Sequence, residues 1–136
     1  MANKPIKLET CPCGSELAYD QCCGPCLCGQ RQPASAEALM RSRYTAYVRL
    51  DEKYLLKTWH ASTRPAVLGL EHQAASKWLG LKILRIQAGG KNDETGQVEF
   101  VARFKLGGKA HRMQENSLFV KEAGRWYYLR AEPDED

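Results

Sequence analysis

The sequence predicts an α+β protein: a small N-terminal metal-held knuckle, then three helices packed on one face of a curved four-stranded antiparallel sheet. Three observations predict it. All six cysteines fall between residues 11 and 28 of a 136-residue chain, so the remainder must be held by a conventional apolar core. From Ala36 to Trp59 the apolar residues recur at helical spacing. Beyond Gly80 the period falls to two, and Gly-Gly pairs separate the apolar runs.

The knuckle comes first. Cys11 and Cys13 form one close pair and Cys22 and Cys23 another, inside CPCGSELAYDQCCGPC. Two pairs of soft ligands around a short spacer describe a tetrahedral thiolate site. Zinc suits it, because zinc favours four sulfurs at about 2.3 Å and needs no redox chemistry from the protein. Iron fits four thiolates as well. Pro12 stiffens the first pair, and Gly14 lets the backbone turn back over the metal. Ser15 is placed to cap a short helix, Glu16 to Gln21, that delivers the second pair, with Tyr19 packed against it. Cys26 and Cys28 are left over. Their Cys-x-Cys-Gly string repeats that of Cys11 and Cys13, so a swapped ligand set, a redox role and two spare thiols all remain open.

The main domain follows a linker, Gln30 to Ser35, with Ser35 as helix cap. Met40, Tyr44, Tyr47 and Val48 make one apolar stripe over Ala36 to Leu50, flanked by Arg41 and Arg43. Asp51 caps a second helix whose inner face is Tyr54, Leu55, Thr58 and Trp59. Thr63 and Pro65 open a third, running to about Lys77 and stopped by Gly80. Strands are predicted over Leu81 to Ala88, Gln97 to Leu106, Lys109 to Lys121 and Arg125 to Ala131. A two-residue turn at Gly107-Gly108 fixes a register: Leu106 opposes Lys109, Phe104 His111, Ala102 Met113 and Phe100 Glu115. Glu115 therefore points with two phenylalanines toward the helices, where it needs a cation, hydrogen bonds or a proton. Arg41, Arg43 and Arg130 are the candidate partners.

Charge and composition narrow the function classes. Residues 31–90 carry ten Lys/Arg against four Asp/Glu, a net +6, while each end of the chain is near −1. Scattered surface lysines or an acidic partner would both give this bias. Arg41, Arg43 and Arg49 stand beside Tyr44 and Tyr47, a mixture that nucleic-acid binders use. Here the core needs those tyrosines, which argues against a stacking platform. Residues 1–10 hold no apolar signal region, and no run reaches about 18 apolar residues. A cytoplasmic protein is expected, in which clustered cysteines bind metal rather than form disulfides.

The string CPCGS-x-x-x-Y-x-x-C-C resembles the SEC-C motif, the small zinc-binding element at the C-terminus of the SecA translocation ATPase. Together with MRSRYTAYVRLDEKYLLKTWH, it makes nearly the whole chain resemble the YchJ family. That resemblance implies a knuckle over residues 1–30 with Cys11, Cys13, Cys22 and Cys23 as ligands. It further implies a cone-shaped domain of the nuclear-transport-factor-2-like class over 31–136, with 133–136 a frayed acidic tail. SecA-type elements carry basic residues after the serine, where this chain has Glu16, Leu17 and Ala18. That departure argues against docking an acidic surface of the SecB kind.

Cones of this class often hold a pocket between helices and sheet. Arg41, Arg43, Tyr44, Trp59, His60, His111 and Glu115 are the groups expected around it. The expected role is binding: the knuckle meets a protein partner, and the cone serves as scaffold or small-ligand site in a monomer or homodimer. An enzyme using Glu115 or His60 as general base is the alternative, and a metal-handling or redox thiol protein a second. No Ser/His/Asp order, phosphate loop or second metal constellation accompanies these residues. An ion pair at Glu115 and a helix-terminal setting for His60 would explain both without catalysis.

Overall fold

A computed structural model describes residues 9–70 and 76–132. A one-turn helix α1 (Gly24–Leu27), a main helix α2 (Ala36–Val48) and a short α3 (Glu52–Lys57) precede four strands. These are β1 (Lys77–Ala88), β2 (Thr95–Leu106), β3 (Lys109–Glu122) and β4 (Arg125–Ala131), antiparallel in the order β1-β2-β3-β4. The predicted fold class holds: three helices, a four-stranded antiparallel sheet and an N-terminal cysteine cluster. Bulges at Trp78/Gly80, Ile83/Arg85 and Leu118/Phe119 bend the sheet around α2.

The predicted caps are in place. The Ser35 hydroxyl accepts from Ala38 N at 3.0 Å, and Asp51 Oδ1 accepts from Tyr54 N at 3.0 Å. The predicted register is also found, with Phe104 opposite His111, Ala102 opposite Met113 and Phe100 opposite Glu115. Gly107 and Gly108 both have positive φ, at 60° and 79°, as a type I′ turn requires. Ala123 and Gly124 make a second turn of this kind, so Glu122 belongs to β3 and pairs with Arg125.

Three expectations need correction. Glu16 to Gln21 is not a helix. Cys11 N donates to Leu17 O and Tyr19 N to Glu9 O, both at 2.8 Å, so backbone groups a helix would use close a miniature hairpin. Only a 3-10 turn, Tyr19–Gln21, remains. The helix expected from Thr63 to Lys77 is absent from its described residues. Thr63 lies in a turn and donates from Oγ1 to Leu129 O at 2.6 Å, and residues 64–69 are irregular. Lys77 opens β1, and Gly80 sits within that strand because Trp78 and Leu81 pair with β2. Residues 71–75, and the tail expected to fray at 133–136, lie outside the described residues.

The third correction concerns α2, which is covered on more than one stripe. Leu39, Met40 and Tyr44 meet Val98, Phe100, Ala102, Phe119 and Trp126 of the sheet, and Cys11, Cys13 and Cys23 join the same cluster. Ala46 turns instead toward Tyr54, Leu55, Leu70 and Cys26. Ser42, Arg43 and Thr45 are buried between these contacts, so Arg43 is not a flanking surface residue. Glycine permits the tightest approach: a Cβ on Gly96 would lie 2.5 Å from Gly89 Cα, where the β1–β2 hairpin presses on Ala36. The outer edge of β4 is covered by residues 58–60, with His60 N donating to Tyr128 O and Tyr128 N to Thr58 O. No helix among the described residues is long and apolar enough to cross a membrane.

Candidate metal centre and cavity

The miniature hairpin carries Cys11 and Cys13, and the 3-10 turn delivers Cys22 and Cys23. Gly14 makes the turn between them at φ +83°, and a Cβ there would meet Leu81 O of β1 at 3.0 Å. The four sulfurs all lie within 4.8 Å of one another, and all six cysteines are free thiols. Cys13 Sγ is 3.6 Å from Cys22 Sγ, which is 3.9 Å from Cys23 Sγ. A tetrahedron with zinc–sulfur bonds of about 2.3 Å has edges of about 3.8 Å. The quartet fits a metal of that size.

Three of the four thiols hold their protons unequally. Thiol donors at Cys11 and Cys23 hold the Cys13 thiol well below its ordinary range. Hydrogen bonding to Cys11 and Cys13 pushes Cys23 up, and burial pushes Cys22 up. A metal would displace the protons that Cys22 and Cys23 retain. Around the sulfurs, Ser15 Oγ stands 3.1 Å from Cys22 Sγ and Thr45 Oγ1 3.7 Å from Cys11 Sγ. Arg41 Nη1 donates to Cys13 O at 2.8 Å and Arg31 Nη2 to Cys22 O at 2.7 Å. Four thiolates and one divalent ion carry a formal −2, which these two guanidinium groups partly offset. The cysteine spacing gives no sign of Thr45 or Arg31, which reach the quartet from outside the motif. Cys26 and Cys28 lie outside the quartet. Cys26 is buried under α3, and Cys28 is exposed and contacts Pro25 O.

A cavity of about 310 Å³ opens between α2 and the sheet. Of the residues expected there, Arg43, Tyr44, Trp59 and Glu115 line it. Arg41 instead binds Glu37 and the knuckle. His111 stacks on Phe104 at 5.2 Å, exposed beyond the lining. His60 joins Glu122 through Nε2 and Ser62 through Nδ1, each at 2.7 Å. Ser62 N also donates to Nδ1, which makes Nδ1 the acceptor and Nε2–H the donor. Serine, histidine and glutamate do line up here, but on open surface where water competes for each contact.

Glu115 has no ion pair within 4.0 Å among the described residues; its Oε2 accepts from the Ser117 and Tyr128 hydroxyls. Each expected arginine is held elsewhere. Arg43 Nη1 donates to Leu55 O at 2.7 Å and Thr58 Oγ1 at 2.8 Å, and its guanidinium lies against the Trp59 and Tyr128 rings. Arg130 faces Glu132. Burial pushes Arg43 down to about 10, which leaves it charged at neutral pH. Burial, and then Glu115, push the Tyr128 hydroxyl up, so it stays a proton donor.

Comparison with known proteins decides the family. Residues 35–131 match the model of the YchJ middle domain, of nuclear-transport-factor-2-like class, and residues 9–25 match the SEC-C motif. The chain belongs to the YchJ family. A UPF0225 protein of Chromobacterium violaceum is 53% identical, over 95% of this chain and 96% of its own. Another from Xanthomonas oryzae is 50% identical, over 90% and 94%. Two solved structures share the fold, both described as SEC-C motif containing proteins. The Rhodopseudomonas palustris structure is 39% identical with a TM-score of 0.81, covering 93% of this chain and all of its own. The Psychrobacter arcticus structure is 27% identical with a TM-score of 0.77, covering 98% and 88%. In this YchJ chain the matched SEC-C residues contain the whole thiol quartet.

Proposed function

We propose that this protein binds a small molecule in its cone and that a structural zinc ion in the thiol quartet fixes one end of the helix forming that site. Cys11, Cys13, Cys22 and Cys23 would hold the ion. With four sulfurs it has no open position, so its chemistry is to close the knuckle rather than to act on a substrate. The observation that carries the ligand reading is the cavity: its acid, Glu115, faces open space while every arginine expected to neutralise it is engaged elsewhere. A core built only for stability would fill such a space with apolar atoms.

The test is a fragment screen by NMR on the zinc-loaded chain, watching the Trp59 and Trp78 indole signals. Ala102, buried in the cavity wall, supplies the control. Bound fragments should shift both indoles, and Ala102→Phe should abolish binding while the protein stays folded. Fragments that bind equally well to the filled variant would overturn the reading. Metal analysis should give one zinc per chain; iron in its place would correct the metal and leave the quartet.

A second reading has its own observation. Leu17 is 52% exposed at the knuckle tip, beside a groove lined by Cys22, Arg31 and Pro33. An apolar side chain on that rim suits a protein partner. A photo-crosslinker at position 17 should then capture one defined protein in cells, whereas labelling indistinguishable from a control site on β3 would remove this reading.

A further inference from the structure

Building on the ligand-binding reading, we infer that the cone takes an uncharged, flat heteroaromatic molecule presenting an N–H donor beside a carbonyl or ring-nitrogen acceptor. The walls set the shape. Tyr44 meets Trp78 edge-on at 5.5 Å and Trp59 meets Tyr128 edge-on at 5.0 Å, so the cavity is flanked by rings from both the helical layer and the sheet. Its 310 Å³ equals about ten waters at 30 Å³ each, room for one or two fused rings. Met113, 39% exposed and in the lining, marks the mouth.

Two polar groups set the edge. Both donors to Glu115 fall on Oε2, and Oε1 has no hydrogen bond among the described residues. Arg43 uses only Nη1; its Nε and Nη2 have no partner among the described residues. The one fully sealed, unpartnered side-chain nitrogen or oxygen found among those residues is Trp126 Nε1. The spare atoms of Arg43 and Glu115 are therefore not fully sealed, and both residues line the cavity. One offers donors and the other an acceptor.

Charge then excludes the ionic classes. The lining holds one arginine and one glutamate, not paired within 4.0 Å among the described residues. A ligand anion or cation would satisfy one and leave the other as an uncompensated buried charge. A zwitterion would balance, but two further charges would lose water among aromatic walls. A neutral lactam or nucleobase-like edge gives an N–H to Glu115 and an acceptor to Arg43 and brings in no new charge.

The probe is quinazolinone, titrated into the zinc-loaded full chain by calorimetry or tryptophan fluorescence beside its N-methyl derivative. The parent should bind at least about tenfold more tightly, the worth of one hydrogen bond to a charged group. In Glu115→Leu the two should bind alike. The ligand comparison needs no variant, so it stands even if that substitution unfolds. Equal wild-type affinity for the pair overturns the inference. So does tighter binding of naphthoate, naphthylmethylammonium or tryptophan, which replaces the ligand class and leaves the cavity reading intact. If none of the five perturbs the indole signals at millimolar concentration while the fragment screen finds cavity binders, the inference alone falls; if that screen is also empty, the cavity reading falls with it.

Discussion

Arg41 of α2 donates from Nη1 to the carbonyl oxygen of Cys13 at 2.8 Å, while its Nε holds Glu37 at 2.9 Å. One side chain thus ties the cysteine-bearing hairpin to the main helix of the cone. Its carbonyl contact is charge-assisted and partly buried, a class worth about 1.5–3 kcal/mol before solvent discounting. The pair with Glu37 adds only a few tenths. Arg41→Ala should cost about 1–2 kcal/mol in urea unfolding and speed zinc transfer to a chelator. Arg41→Lys, unable to serve both partners, should fall between; an unchanged transfer rate would show that the contact does not hold the knuckle.

Metal removal should be felt through the whole molecule. Cys11, Cys13 and Cys23 are packed in one cluster with Leu39, Met40 and Phe100. Chelation, or Cys11→Ser, should lower the melting temperature of the entire chain and broaden the indole signals of Trp78 and Trp126. Acid should act in the same direction. Protons compete for the ligand sulfurs, and Cys22 and Cys23 hold theirs firmly, so apparent metal affinity should fall steadily as pH falls. A stable, fully ordered cone in the chelated protein would refute this coupling.

Register and the clustering of four thiols are legible in the sequence because each rests on local chemistry. A Gly-Gly turn admits one pairing, so the turn alone sets Phe100 opposite Glu115. Two Cys pairs around an eight-residue spacer identify the quartet in the same way. Long-range competition is not legible. Trp78 and Leu81 stand three residues apart, a helical spacing, and a register shift between Trp78 and Gly80 lets both pack on the core from a strand paired with β2. The partners of Glu115 depend on Tyr128, whose position follows a bulge at Leu118/Phe119 that no turn residue announces. Arg43 would lie on a flank of α2 if that helix had a single covered face; α3 covers a second, and small Ser42 and Ala46 let it approach.

Two glycines of the sheet should respond oppositely to the same substitution. Gly96→Ala would set a methyl 2.5 Å from Gly89 Cα and should destabilise by about 1–3 kcal/mol or more, since backbone must move. Gly80→Ala meets open space and should be neutral or stabilising by up to about 1 kcal/mol. Urea midpoints of the two variants provide the comparison. Equal effects would mean that the β1–β2 hairpin does not press on Ala36 as described.

Thiol reactivity should divide the six cysteines. Cys28 is exposed, Cys26 is 6% exposed beneath α3, and the other four would be held by metal. Zinc-loaded protein should therefore release one fast equivalent to an alkylating reagent at neutral pH, mapped to Cys28 by peptide mass. Chelation should expose the quartet and leave Cys26 slow. A fast Cys26 in the loaded protein would instead favour a paired redox role for Cys26 and Cys28.

Alkaline pH should unfold the protein through its tyrosines. Burial pushes Tyr44 up to about 12 and Tyr54 and Tyr128 higher still, against an ordinary value of 10.0. A group with a raised folded value contributes stability that is complete below the unfolded value and lost as pH climbs through the folded one. Stability should thus hold to about pH 10 and decline across the window from 10 to 12 and above. In a spectrophotometric titration, phenolate signal from Tyr44, Tyr54 and Tyr128 should appear only as circular dichroism reports unfolding. Phenolate signal from all six tyrosines near pH 10 in a still-folded protein would contradict the packing of Tyr44 on Trp78 and of Tyr128 on Glu115.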